Sequence, residues 1–465
     1  MTTTPEDPTT QEGTARPRLP WSRTQRPVPR LVLRPVQDFL HLEAAGGLVL
    51  LVATIAALVW ANVDSGSYQD FWSTEVTLRI GSFSEVENLQ HVVNDGLMAI
   101  FFLVVGLEVK RELAVGELST REAALLPLFA AVGGMVLPAI VFLGVMGGDA
   151  GSRGWGIPMA TDVAFALGAL AALGSRVPAA LVAFLLGVAV IDDIGAIVVV
   201  AFYYTDVIHL AWLAAALLGL ALIVALQRMQ VRYMGVYVVL GLAVWFATFE
   251  SGVHATIAAV ALGLLTPARP FQDPAAVSAE AIRIAEATDD HPDDPDADAG
   301  QWRRLSWLSR EAVSPLTRVE HGLHQWSSFV VLPIFALANA GIVLDAASLD
   351  AATETPLALA VALGLLIGKT IGLTAGVALA VFLGLSRLPD GVRWAHVFGI
   401  GALAGIGFTV SLFITGLAFS DPELVDASKI GVLSGSTIAA LAGIGLLMLV
   451  GRRSAATAGA PRSDP

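Results

Sequence analysis

The chain alternates between long apolar segments and short polar connections. Twelve apolar segments occur, each about 16–28 residues long, and a helix needs about 20 apolar residues to cross a bilayer. The pattern therefore predicts an all-α polytopic membrane protein with twelve transmembrane helices. The segments span 39–62, 91–113, 123–146, 155–174, 179–202, 208–227, 231–249, 252–267, 322–342, 357–384, 394–419 and 428–451.

Two of these segments contain residues that interrupt a helix. Segment four carries Gly156 and Pro158 just before Thr161 and Asp162, and segment eleven, 394–419, is rich in glycine. A break exposes backbone carbonyls and a half-helix N-terminus, from which transporters build ion sites at membrane depth. Glycine alone is a weak signal, because small residues also mediate helix packing. Together the two segments predict two broken helices, within inverted-topology repeats formed by segments three to five and ten to twelve.

Four polar stretches lie outside the apolar segments. Residues 1–35 and 453–465 are predicted to be flexible cytoplasmic extensions of a twelve-helix domain at 36–452, and the first contains no apolar core of the kind found in cleavable signal peptides. The loop at about 270–318 is acidic and proline-rich, and is predicted to be disordered. Apolar and polar residues alternate within 73–83, which fits either a small extracytoplasmic β-hairpin or a disordered loop.

Composition agrees with a membrane protein and narrows its chemistry. Only 14% of the 465 residues are charged, against about 25% in soluble domains, and the mean hydropathy is +0.71. Cysteine is absent, which excludes disulfides, thiolate metal sites and cysteine nucleophiles. The net charge of −13 comes mostly from loops and gives no indication of nucleic-acid binding. Of the 27 Lys and Arg residues, 23 fall on one side of the predicted membrane and three on the other, which predicts that both termini are cytoplasmic.

Charged residues lie deep inside two of the apolar segments. Asp192 and Asp193 lie in the middle of the apolar run from 179 to 202, and Lys369 is far from both ends of segment ten. Ionised groups at that depth are costly, so they are expected to face a cavity or an opposite charge. The acid pair is the obvious counter-charge for Lys369. Adjacent helical residues point about 100° apart, so one carboxylate can face a bound ion while the other faces a cationic side chain. The alternatives are a soluble core helix with a satisfied acidic pair and, for Lys369, a cytoplasmic re-entrant loop.

A further set of titratable residues lies near the ends of segments. Glu108 and Glu112 share one face of a helix at the end of segment two, with Arg111 three residues after Glu108. Such a group is either an ordinary charged cluster at a membrane boundary or a functional one. The other titratable residues near segment ends are His254, Glu320 and His321.

At these residues the chain resembles the bacterial NhaA family of sodium/proton antiporters. The resemblance runs in order from about residue 39 to 450, and it covers all twelve segments. It is specific because the shared motifs are long and include the costly intramembrane charges. The motifs are FFLVVGLEVKREL, ATDVAFALG, VAVIDDIGAI, SGVHATIAAV, LPIFALANAGI, LIGKTIG and GIGFTVSLFI.

The resemblance implies a fold, an activity and a set of site residues. Segments four and eleven would be broken helices that cross near the midplane of a bacterial inner-membrane protein. Cytoplasmic Na⁺ or Li⁺ would be exchanged for external H⁺, electrogenically and under pH control. Asp162 and Asp193 would carry ion and proton, Thr161 would line the site, and Asp192 would pair with Lys369. The positions matching a pH response are Glu108, Arg111, Glu112, His254, Glu320 and His321. The hairpin at 73–83 matches a contact between the two copies of a homodimer.

Two other functions deserve comparison with antiport. A sodium-coupled symporter of an organic anion would need a roomier and more polar substrate site than the chain supplies. An intramembrane aspartyl protease also needs paired acids on separate helices, but it would carry Gly-x-Gly-Asp before its second acid, and this sequence does not. That mechanism also has no role for Lys369. We therefore expect a transporter that is not an enzyme and needs no cofactor beyond its transported ions.

Overall fold

A computed structural model describes residues 43–80, 83–205, 207–288, 299–345 and 355–458 of the chain. The predicted N-terminal extension lies outside these residues, as does the end of the C-terminal tail from 459. The described residues are mostly helical. The helices are α1 Glu43–Val63, α2 Ser65–Trp72, α3 Leu89–Ala114, α4 Arg121–Met146, α5 Val163–Leu173, α6 Ala179–Tyr203, α7 Leu210–Arg228, α8 Met234–Glu250, α9 Ala255–Leu265, α10 Pro274–Thr288, α11 Ala299–Glu311, α12 Pro315–Trp326, α13 Leu332–Asn339, α14 Leu357–Phe382, α15 Trp394–Ala404, α16 Phe408–Ala418 and α17 Pro422–Ala458.

Many of these helices are long and apolar enough to cross a membrane. In the described part of the chain seven helices meet that test alone, and nine do if each of two bent helix pairs counts as one span. Two shorter apolar helices, α8 and α9, stand beside them. Both α3 and α14 contain a π-helical turn, and a third π-turn joins α12 to α13. The chain is therefore a multi-pass helical membrane protein.

Helices α4 and α14 are in backbone contact, which determines where Lys369 lies. A Cβ added at Gly133 of α4 would overlap the carbonyl oxygen of Gly372 on α14, and one added at Gly376 would overlap the carbonyl oxygen of Phe129. Only glycine permits backbones to approach so closely. The side chain of Lys369, at the start of the same glycine-lined stretch, is completely buried.

The two interrupted segments form the expected broken helices. A 3₁₀ segment, Ala150–Met159, leads through an extended stretch into α5, with a bend of 41°. Helices α15 and α16 are separated by 405–407 and bend by 45°. The two breaks touch, since the backbone N–H of Asp162 donates to the carbonyl oxygen of Ile406 at 2.6 Å. The unwound backbones thus satisfy part of each other's hydrogen-bonding capacity within the protein, as membrane depth requires.

A two-stranded antiparallel sheet follows α2. Strand β1 is Glu75–Ile80 and strand β2 is Phe83–Asn88, with Glu75 opposite Asn88. The predicted range 73–83 contains the first strand, whereas the second strand extends beyond it. The sequence pattern was weaker there, because FSEVEN carries only two apolar residues.

The loop predicted to be disordered contains two helices, α10 and α11, on either side of the acidic run at 289–298, which lies outside the described residues. Helix α10 buries the apolar side chains of Val277 and Ile284, and the two helices pack on each other. The acidic run lowered the average hydrophobicity of the whole loop and so concealed the helical segments beside it. At the other end of the chain, α17 extends to Ala458, past the boundary predicted at 451.

Candidate ion-binding site

Asp162 lies where the two broken helices meet. Its Oδ1 accepts the backbone N–H of Phe165 at 3.1 Å and so caps the N-terminus of α5. Its Oδ2 accepts both the backbone N–H of Thr409 at 3.1 Å and the Thr409 hydroxyl at 2.6 Å, near the N-terminus of α16. One buried carboxylate therefore receives donors from two half-helix N-termini, whose dipoles favour negative charge.

Asp192 and Lys369 form a fully buried ion pair. The ammonium of Lys369 donates to Oδ2 of Asp192 at 2.7 Å and also to the carbonyl oxygen of Met159, just before the first break. The Thr161 hydroxyl lies 2.8 Å from the same Asp192 oxygen and 2.9 Å from the carbonyl oxygen of Ala404. The pair therefore ties α6 and α14 to both broken helices. The other oxygen of Asp192, Oδ1, has no hydrogen-bond partner among the described residues.

Asp193 has a different environment from its neighbour. A cavity of 470 Å³ opens between α3, α5, α6 and α12, and Asp193, Asp162, Thr161 and Thr409 line it. Asp192 and Lys369 do not line it. Among the described residues, no group donates a hydrogen bond to the Asp193 carboxylate. The two adjacent acids therefore point in different directions, as the helical offset of about 100° predicts. Asp193 faces the cavity and Asp192 faces the ammonium of Lys369.

The mouth of this cavity carries most of the second set of predicted residues. Arg111 donates to Glu320 at 2.5 Å and lies 3.5 Å from Glu112. Burial raises the pKa of Glu320, which precedes segment nine, above that of an ordinary glutamate, and the Arg111 charge partly offsets this. Glu108 lies 3.5 Å from the imidazole of His324. His321 also lines the cavity.

His254 is not part of this cluster. Its Nε2 lies 3.1 Å from the carbonyl oxygen of Tyr204, at the C-terminal end of α6. The Tyr204 hydroxyl accepts the backbone N–H of Gly156 and donates to the carbonyl oxygen of Arg153, in the 3₁₀ segment. His254 therefore lies at the opposite end of the helix bundle from the mouth residues. The resemblance grouped it with them, and in the sequence it lies near the end of an apolar segment as they do.

Three contributing residues were not singled out from the sequence. Thr409 bonds Asp162, His324 contacts Glu108, and the Ser436 hydroxyl on α17 accepts the backbone N–H groups of Gly407 and Phe408 at 3.2 and 3.3 Å. For Thr409 a signal was present, since it follows the glycine-rich break directly. Ser436 lies in an apolar helix with no distinguishing pattern, so only the tertiary contact identifies it.

The site offers two carboxylates and two threonine hydroxyls to a small cavity. Hard oxygen ligands suit a hard monovalent cation, and a carboxylate can bind a proton in its place. Among the described residues there is no group of three or more His, Asp or Glu side chains arranged to hold a metal ion.

Comparisons with known proteins agree with this chemistry. A family model described as Na⁺/H⁺ antiporter 1 matches residues 37–447. The chain is 45% identical over 433 residues to the Na⁺/H⁺ antiporter NhaA 2 of Sorangium cellulosum, covering 92% of this chain and 91% of that protein. It is also 45% identical over 427 residues to the Na⁺/H⁺ antiporter NhaA of Rhodopirellula baltica, with 90% and 94% covered, and 43% identical over 432 residues to that of Oleidesulfovibrio alaskensis, with 91% and 96% covered. The family match at 37–447 includes every residue named in the site.

Proposed function

The chain belongs to the Na⁺/H⁺ antiporter family and exchanges sodium ions for protons, and from this premise we propose that Asp162 and Asp193 bind the exchanged ions. The observation that carries this proposal is the division of the buried charges. The cavity reaches Asp162 and Asp193, whereas Asp192 and Lys369 are shielded from it.

Exchange follows if proton and sodium ion compete for the same oxygens. When Na⁺ occupies the cavity, both carboxylates are ionised and share its charge, with Thr161 as a further oxygen. When Na⁺ leaves, the acids are left facing each other's charge in a poorly solvated site, and proton binding relieves that repulsion. A loaded site that opens to one side and then the other turns this competition into antiport. Net charge moves if more protons than sodium ions cross, so we propose that exchange is electrogenic.

The polar contacts at the breaks would let the site change access without losing its geometry. Asp162 receives donors from α5 and α16 together, so the two half-helices can move as one body. The Asp192–Lys369 pair links that body to α6 and α14. We propose that these helices belong to inverted repeats within a twelve-span fold, with both termini cytoplasmic in a bacterial inner membrane.

The cavity mouth is the proposed site of pH control. Arg111, Glu320 and Glu112 form one charged group there, and Glu108 and His324 form a second. Protonation of Glu320 would break its pair with Arg111 and shift a two-state transporter toward one of its states. We also propose that Li⁺ can replace Na⁺, and that the β1–β2 sheet contributes to a homodimer.

The decisive experiment is sodium-driven proton movement in proteoliposomes. Adding Na⁺ to one side should move protons to that side with no organic anion present, which a sodium-coupled anion symporter would not do. Asp162→Asn and Asp193→Asn should each abolish the signal while the protein still inserts, because an amide carries neither the proton nor the charge. Asp390→Asn, the same change on an exposed loop, is the matched control and should retain exchange. Normal exchange in either site variant would refute the assignment.

A further inference from the structure

Helix α11 presents a continuous exposed face that the transport site does not use. Trp302, Arg303, Ser306, Trp307 and Arg310 follow the spacing i, i+1, i+4, i+5 and i+8, which places them on one side of a helix. All five are exposed, and the two tryptophan side chains retain 46% and 49% of their accessible surface. Large aromatic side chains left this exposed outside a membrane span require an explanation.

The charges of this face are as distinctive as its aromatic residues. Arg303 and Arg310 form no ion pair with any carboxylate in the described part of the chain, and Arg303 bonds only the carbonyl oxygen of Ala299 in its own helix. Arg304, which points off this face, differs because it pairs with Glu280 of α10 at 3.2 Å. The face therefore combines two exposed tryptophans with two unpaired positive charges.

Contacts at the C-terminal end of α11 hold it beside the start of the apolar helix α8. Glu311, the last residue of α11, pairs with Arg232 at 2.9 Å, and Arg232 lies two residues before the apolar helix α8. The guanidinium of Arg232 also stacks over the rings of Phe271 and Trp307, at 5.1 and 5.9 Å from their centroids. Trp307 thus lies against a residue at the start of the apolar helix α8, which is one of the proposed spans.

We propose that α11 lies on the cytoplasmic surface of the bilayer and binds anionic phospholipid headgroups through this face. Tryptophan is enriched at the membrane–water interface, and helices that lie in that plane carry basic residues beside aromatic ones. Arg303 and Arg310 can each donate to a phosphate oxygen, and the negative potential of the inner leaflet attracts them. The combination of exposed tryptophans with unpaired arginines is that of a helix lying on an anionic lipid surface, which is the occupant we assign to this face.

The absence of cysteine makes a direct test possible. A single Ser306→Cys substitution places one nitroxide label at the centre of the face, in otherwise unchanged full-length protein. Its depth and mobility are measured by EPR in nanodiscs of phosphatidylcholine alone and of phosphatidylcholine with phosphatidylglycerol. The expected result is an immobilised label at interfacial depth in the anionic discs and a mobile, water-accessible label in the neutral discs.

Charge variants then identify the contacts. Arg303→Gln with Arg310→Gln should lower the ratio of docked to undocked label about 25-fold in anionic discs, since each basic residue near the surface contributes about fivefold. Arg304→Gln, on the same helix but paired with Glu280, is the matched control and should leave docking unchanged. Sodium-driven proton flux of each variant shows separately that the transport site is intact.

Three outcomes would overturn the proposal. Equal label mobility in neutral and anionic discs would exclude recognition of lipid charge. A label that becomes mobile only when the protein is diluted would assign the face to a second copy. A label that is immobilised in detergent and released by neutralising the acidic run at 289–298 would show that the chain covers this face itself.

Discussion

The buried pair of Asp192 and Lys369 gives the sharpest quantitative prediction. Its charged atoms are 2.7 Å apart and neither side chain is exposed. At an effective dielectric constant of about 20, the attraction is roughly 6 kcal/mol before desolvation is subtracted. Removing one partner leaves an uncompensated buried charge, which costs about 3–5 kcal/mol. We therefore expect Lys369→Met and Asp192→Asn each to destabilise the protein by that amount.

Thermal unfolding can measure this loss. With an unfolding entropy of about 2.1 cal/mol/K per residue, a 465-residue chain loses roughly 1 °C of Tm per kcal/mol. Each single variant should therefore have a Tm roughly 3–5 °C lower than wild type. The unfolding is measured by intrinsic tryptophan fluorescence in detergent. The double variant has no lone charge, so it should recover part of that loss, and the two changes should be coupled. The matched control is Lys369→Met combined with Asp193→Asn, for which much weaker coupling is expected.

The result that would refute this reasoning is additivity. If the losses at Lys369 and Asp192 simply add in Tm, the ammonium must have another counter-charge, and Asp162 is the next candidate. Transport by the double variant provides separate information. Exchange with less net charge moved would mean that Lys369 itself carries a proton, whereas exchange with unchanged electrogenicity would make the pair purely structural.

Three further predictions concern the β1–β2 sheet, the cavity mouth and the second helix break. The two ends of the sheet are close together, since the backbone N–H of Leu89 donates to the carbonyl oxygen of Thr74 at 2.9 Å, so two glycines can replace residues 75–88. This replacement should weaken dimerisation on dilution while transport per protomer persists. Glu320→Gln imitates the protonated side chain at every pH, so its exchange rate should match wild type at low pH and diverge as pH rises through the raised pKa of Glu320. Ser436→Ala removes the acceptor for two N–H groups at the start of α16 and should cost about 1 kcal/mol and weaken apparent Na⁺ affinity in the flux assay.

Each of these has a clear contrary result. An unchanged dimer population after deletion would remove the sheet from the interface. Superimposable pH profiles would exclude Glu320 from the pH response. For Ser436 the comparison is Ser434→Ala, whose hydroxyl bonds only its own helix, and equal effects of the two changes would exclude a specific cap.

The amino-acid sequence by itself determined the class of fold and the identity of the costly groups. Apolar segments long enough to cross a bilayer, two of them interrupted, can be read from periodicity because a lipid environment permits few alternatives. The same constraint makes Asp192, Asp193 and Lys369 conspicuous, since charge at that depth persists only for a reason. Short strands and surface helices are less visible, and so β2 and the helices α10 and α11 were missed or misread.

Tertiary structure alone decided which charged groups share a site. The sequence offered two adjacent acids and one ammonium, but only the rotation of α6 turns Asp193 to the cavity and Asp192 to Lys369. The tertiary structure also separates His254 from the residues at the cavity mouth. It brings Ser436 to the second break, more than 20 positions away along the chain. The physical reason is that a charged residue deep in an apolar segment can be recognised from the sequence alone. Its partners on other helices are determined by helix packing, which no local sequence pattern encodes.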